Sequence, residues 1–471
     1  MKPALGLICS LAVLTMAGCA TTAVSTSSEN SMTFEDTFVS DVIGVKEKHL
    51  SPDYWMHPGT DEIILTRSEI EAFNKDNISN EKTLNDVRAM PATLTEEALT
   101  QYIRSVSKTP GYPRVYTDGT AVTDADFSRY ESALNLSAVK AVNTVRFALA
   151  VKRTSIRTYP TDDLLFSHDA SDRDIERFQE SILFPGDPVA VLHESTDGKW
   201  ALIQVYNYTA WVHIDDIAIG SKSDVFDYAD KEDFLLVTGD KVSTVFNPEA
   251  PDVSELQLDM GVRVPLSRPK SLHANLYGQN PYLHHMVLLP VRNTNGSLDF
   301  KHALIQRKAD VHVGYLPFTQ RNIITQAFKF LGERYGWGHR FNGRDCTGFV
   351  SEVYRTVGIV LPRNSGDQRD SDIGVNNRYE KNQDQDAKIK RLKEASPGDL
   401  IYIPGHVLMV LGQDGGEPFA IHDVHGMRYK NPDGSQYSGT LNGVSITPIL
   451  PLQFNKTESY VDRILSVKTV K

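Results

Sequence analysis

Two hydrophobic rhythms alternate along the chain. From Thr33 to Lys140 (33–140) the pattern is helical: Thr66-Arg67-Ser68-Glu69 has the spacing of a capping box, and Ile70 and Phe73 continue an apolar face behind it. Ser51-Pro52-Asp53-Tyr54-Trp55 reads as a proline-anchored aromatic turn used for packing. From Val145 the rhythm shortens to β-type runs such as RFALAVKRTSIRTYP, KWALIQVYN and AWVHIDDIAI, separated by Gly, Asp and Pro turns. This predicts a small barrel or sandwich over 141–222. A second such block, with MGVRVPLSR and HHMVLLPVR, covers 223–318. At Thr319 the helical spacing returns, with Ile323, Ile324, Ala327, Phe328 and Leu331 on one face and Gly332 closing it. Another helix starts at Cys346, with Phe349, Val350, Val353, Tyr354 and Val357 on one face and Gly358 at its end. After a polar excursion from Asp367 to Ala395, with a helix in its second half, strands resume to the end. The expectation is a multidomain chain: a helical N-terminal segment, two small β-barrels, and an α+β domain with a mostly antiparallel sheet over 319–471.

The first residues read as an address. Lys2, an apolar stretch from Leu5 to Ala17 and the small residues before Cys19 predict a signal peptide over 1–18. Met16-Ala17-Gly18-Cys19 resembles a bacterial lipoprotein cleavage box, in which Cys19 would carry lipid; an ordinary signal peptide is the alternative. Residues 19–32 are small and polar, as expected of a flexible tether. Ala20 after the cysteine favours outer-membrane sorting by the same resemblance. The implied location is the cell envelope, lipid-anchored at the outer membrane and facing the periplasm.

Charge and cysteine content narrow the chemistry. With 60 acids against 49 bases, net charge −11, the chain is poorly suited to nucleic-acid backbones. Of Cys9, Cys19 and Cys346, only the last would remain a free thiol after export, either inert and buried or reactive. Its place at a helix start predicts a stabilised thiolate, and the local N–H groups could receive an oxyanion. His406 opens a strand after Pro404-Gly405, and His422 lies in the adjacent strand, so the two can stand side by side in the manner of a catalytic triad. His425 is a rival to His422, but on a continuing strand the two face opposite sides. His284, His285 and His312 lack partners at ligand spacing, so no metal or cofactor is expected.

The segment YGWGHRFNGRDCTGFVSEVYRTVGIVLPRNSGDQ, with SPGDLIYIPGHVLMVLG and AIHDVHG after it, resembles the NlpC family of bacterial cell-wall cysteine peptidases. The layout of the whole chain resembles one subgroup, with two bacterial SH3-type barrels ahead of a papain-like peptidase. That subgroup comprises γ-D-glutamyl-L-diamino acid endopeptidases acting on peptidoglycan stem peptides. The resemblance implies Cys346 as nucleophile, His406 as general base and then acid, and His422 as the orienting residue. It further implies Asp345, Thr347 and Ser365 as ligands for the free amine end of the stem peptide, and Tyr335 as an oxyanion donor. A barrel side chain such as Tyr159 or Tyr206 would wall off the substrate's N-terminus. His339 departs from the family by replacing a glycine, and Thr347 replaces a serine. A catalytically inactive wall-binding lipoprotein is the rival reading, and an acyltransferase on the same fold a third. No protein partner is indicated.

Overall fold

The computed structural model describes residues 38–167, 173–268 and 275–471. The expected signal peptide, the expected lipidation site Cys19 and the expected tether lie outside the described residues. Residues 40–471 form one unit. Among them no helix is long and apolar enough to cross a membrane.

The N-terminal helical segment divides between two cores. Helix Arg67–Asn80 starts where the sequence places it: Thr66 Oγ1 accepts from Glu69 N, and the Glu69 carboxylate accepts from Thr66 N at 2.7 Å. Trp55, Ile70 and Leu84 then join a hydrophobic cluster with Cys346 and Phe349. The aromatic turn is part of that packing. The Trp55 indole donates to the carbonyl of His49, whose fully buried ring meets Asp414 at 2.8 Å. Residues from Val87 onward pack elsewhere. Helices Glu96–Val106 and Asp124–Ala133 bury Leu99, Ile103 and Tyr130 against Phe147, Trp200 and Trp211 of the first β block. A segment expected as one unit therefore serves two neighbours, because each helix has one apolar face and takes the nearest core.

The first β block is a seven-stranded antiparallel sheet built from residues 146–220. The second, from Phe234 to Val313, consists of three small antiparallel sheets around one core that includes Leu235, Val264 and Leu289.

The C-terminal region supplies the helices α1 (Gln320–Phe328), α2 (Cys346–Thr356) and α3 (Ser365–Asp370). It also supplies a six-stranded antiparallel sheet. Its strands are β1 (Val375–Arg378), β2 (Leu400–Ile403), β3 (His406–Asp414), β4 (Glu417–Lys430), β5 (Gln436–Pro448) and β6 (Ser466–Thr469). The order is β1-β6-β2-β3-β4-β5. The polar excursion expected after Asp367 holds α3, the edge strand β1 and a helix Gln385–Lys393. Helix α2 is buried along nearly its whole length against β3 and β4, through Phe349, Val350 and Val353.

Candidate active site

Asp345 caps α2, its carboxylate accepting from the Gly348 N–H at 2.9 Å, so Cys346 becomes the first helical residue. The N–H groups of Cys346 and Thr347 have no intrahelical acceptor. A close approach fixes Gly348, since a Cβ there would fall 2.5 Å from the His339 ring.

Beyond α2 the ladder between β3 and β4 pairs Met409 with Ile421 and stops, so the strands part at the end where both histidines sit. His406 Nε2 meets His422 Nδ1 at 2.8 Å, and His422 Nε2 meets Thr447 Oγ1 on β5 at 2.9 Å. This leaves His406 Nδ1 without a protein hydrogen bond among the described residues. The Cys346 thiol lies against the backbone N–H of the next residue, Val407. With Nδ1 free to accept a proton, His406 carries its hydrogen on Nε2 and donates to His422, which in turn donates to Thr447; this tautomer is assigned from the network. Tyr335 lies beside Cys346, its ring buried and its phenol pushed up by that burial and by the nearby thiol, so it remains a donor.

The expected thiolate is absent at rest. Burial, and then the Asp345 carboxylate, pushes the Cys346 thiol up to about 12, while burial lowers His406 to about 4. Burial is the first of these causes, ahead of the lowering by the Val407 N–H. Between those limits the resting pair is a neutral thiol and a neutral imidazole. Iodoacetamide should therefore modify the free protein slowly at pH 7. The rate should rise about tenfold per pH unit to pH 10 without a plateau, as measured by intact mass; an unperturbed thiol levels off near ~8.5.

The residues expected to take the substrate amine are placed differently from that expectation. Asp345 is already saturated: Oδ1 accepts from Gly348 N, from Thr347 Oγ1 at 2.9 Å and from Arg363 Nη1 at 3.2 Å. Oδ2 accepts from Gly338 N at 3.0 Å and Arg363 Nη2 at 2.6 Å. Burial alone would push the Asp345 carboxyl up, but the Arg363 guanidinium pulls it well below the usual carboxylate range. Thr347 Oγ1 also accepts from Arg363, at 2.6 Å. In this arrangement Asp345 offers no free carboxylate to an ammonium group. Ser365 starts α3, partly exposed, without a hydrogen bond from its hydroxyl among the described residues.

Three arginines that the sequence reading missed join the site to the β blocks. Arg363 donates to Ser181 Oγ of the first block at 2.7 Å. Arg344, fully buried, binds Glu352 and Glu333, and reaches Asp240 O and Asp259 of the second. Arg153 donates to the carbonyls of His339 and Gly343 and to Asp259. His339, the departure from the family pattern, adds a polar contact, its Nε2 lying 3.1 Å from Glu352. Tyr206 lines the space between the first block and α2, next to His339, Arg355 and Arg363. Tyr159 does not reach it; its ring lies in the first block's core and its hydroxyl donates to Glu131. His425 pairs with Asp174 at 3.0 Å and sets its ring edge-to-face against Tyr335 rather than joining His406 and His422. Among the described residues no group of His, Cys, Asp and Glu side chains could hold a metal ion.

Residues 165–213 match the SH3 domain (SH3b1 type), and residues 332–445 match the NlpC/P60 family. The probable endopeptidase p60 of Listeria seeligeri is 35% identical over 129 residues, covering 26% of this chain and 21% of that protein. The Listeria monocytogenes protein of the same name is 32% identical over 129 residues, 26% of this chain and 22% of its own length. The chain thus spans about a fifth of the length of the curated relatives it matches. A solved structure described as a novel NlpC/P60 endopeptidase from Photobacterium damselae subsp. piscicida shares the fold. Its TM-score is 0.69 at 18% identity, over 89% of this chain and 96% of that one. Residues 332–445 therefore form an NlpC/P60-family domain, on a chain that also carries an SH3 domain of the SH3b1 type.

Proposed function

We propose that the chain is a cysteine endopeptidase that hydrolyses the γ-D-glutamyl–diamino acid bond of peptidoglycan stem peptides. The observation that carries this reading is the chain from His406 through His422 to Thr447 at the end of the β3–β4 ladder, with the Cys346 thiol against the N–H of Val407, the residue after His406. As the Cys346 sulfur attacks the amide carbonyl, its proton passes to His406 Nδ1, and the sulfur–carbon bond forms with the negative charge moving to the oxygen. That oxygen is received by the first N–H groups of α2 and the Tyr335 hydroxyl. His406 then protonates the departing amine, leaving a thioester. Water, deprotonated by His406, releases the acyl fragment and restores the thiol. The thiolate exists only during attack, which suits a site where burial disfavours charge at rest.

Closure of one end of this site by the first β block, which Arg363 joins to Asp345 and Thr347 through Ser181, would favour trimmed stem peptides over intact cross-linked wall. Recognition of a free L-alanine amine by Asp345 would require Arg363 to give way first. The reading extends to lipid anchoring through Cys19 at the outer membrane, where such fragments would be met in the periplasm. Incubation with L-Ala-γ-D-Glu-diamino acid tripeptide, with products identified by mass spectrometry, should yield the Ala-Glu dipeptide and the free diamino acid. Transfer of the acyl group to an added amine without hydrolysis would favour an acyltransferase, and an unchanged peptide an inactive scaffold.

A further inference from the structure

Next to His422 on β4 stands a group that the relay does not use. Asp423 is fully buried, and neither carboxylate oxygen has a hydrogen-bond partner. It lies opposite Val444 and two residues from Ile421, both of which pack in the cluster containing Cys346 and Phe349. It therefore faces the side of the sheet that α2 covers. It is close enough to Cys346 and Tyr335 to raise the proton affinity of both.

Two carboxyl groups, Asp345 and Asp423, act on the thiol, a third, Glu333, acts on Asp423, and their counterions differ. Asp345 has Arg363. Glu333 has Arg344 and Lys241. Asp423 has none, and Arg344 is already committed to Glu352, Glu333, Asp240 and Asp259. Buried polar groups are nearly always paired, and an orphaned one calls for an explanation. Burial, with Asp345 and Glu333 nearby, keeps the Asp423 carboxyl well above its ordinary value, so it is protonated at rest. An anion would meet repulsion from those acids. A cation would reverse that, gaining from all of them while Asp423 gives up its proton to solvent.

Resting on the peptidase reading above, we propose that Asp423 is a specificity residue that receives a primary ammonium group of the stem peptide. Two ammonium groups are candidates within that substrate class: the α-amine of L-alanine and the distal amine of the diamino acid. Asp345 cannot serve either while Arg363 holds it.

The test compares kcat/KM for the parent tripeptide, its N-acetyl form, and a form with norleucine in place of the diamino acid, using wild type and Asp423→Asn. Wild type should lose at least about tenfold on one of the two altered peptides, and that peptide names the ammonium group. Asp423→Asn should lose less than about threefold on the same change. Equal use of all three peptides by wild type, or the same discrimination in the variant, overturns the proposal. If wild type cleaves none of them, the peptidase reading fails; binding of the same peptides, measured by calorimetry with the same criteria, then decides the role of Asp423. A second variant guards against misfolding. Asp423→Val should melt no lower than wild type, because it removes an unpaired buried acid, and a lower melting temperature or loss of folding would show a structural partner and overturn the proposal.

Discussion

Cys346→Ala should abolish hydrolysis of the stem tripeptide, lowering kcat by at least about 10⁴-fold, while the protein remains folded. The size follows from the geometry. Cys346 is the free cysteine among the described residues, and the flanking groups that remain, Tyr335 and the α2 N–H groups, can stabilise an oxyanion but cannot start the attack. The residue is small and only 7% exposed, so its truncation leaves a minor gap beside Phe349. His406→Ala should give a comparable loss. Thr447→Val, which removes only the last acceptor of the relay, should lose far less. That ordering separates a relay from a packing cluster, in which all three losses would follow melting temperature.

The second large effect is on stability. Arg363→Ala should destabilise the protein by about 3–5 kcal/mol, because it strands the buried Asp345 charge. At roughly 2–4 °C per kcal/mol for a chain of this order of size, the melting temperature should fall by about 6–20 °C. Arg363→Ala combined with Asp345→Asn should recover part of the loss, since no unpaired charge remains. The pH dependence has a definite sign. The folded Asp345 carboxyl sits below its unfolded value, so its contribution is complete above about pH 4 and fades as pH falls toward the folded value. The gap between wild type and Arg363→Ala should therefore narrow in acid. A constant gap from pH 7 to pH 3 would mean that Arg363 acts through packing on Ser181 instead.

Local signals were readable from the sequence, and signals between domains were not. The capping box at Thr66 and the start of α2 depend on residues three apart, so the chain states them directly. The contact of His406 with His422 follows from alternation on neighbouring strands, and it is the pair that the structure brings together. Thr447 could not be singled out, because its register depends on the long β4–β5 pairing and its bulge after Val424. Nothing local in the sequence marks Arg344 or Arg363. Their partners in the β blocks, Asp259 and Ser181, lie more than eighty residues away. The same distance hid the electrostatics. A cysteine at a helix start suggests a thiolate, but Cys346 is buried in the cluster with Phe349 and Val407, and that burial is the first cause keeping its thiol protonated. Slow alkylation at neutral pH is thus the expected resting behaviour of the site as proposed.

The nucleophilic role of Cys346 is tested most directly by acid-quenching the protein during turnover of the tripeptide and mapping the digest by mass spectrometry. The account predicts a thioester-linked Ala-Glu acyl group on the peptide containing Cys346, lost on hydroxylamine treatment and absent from Cys346→Ala. Sustained release of the diamino acid with no adduct on Cys346, or undiminished release by Cys346→Ala, would contradict it.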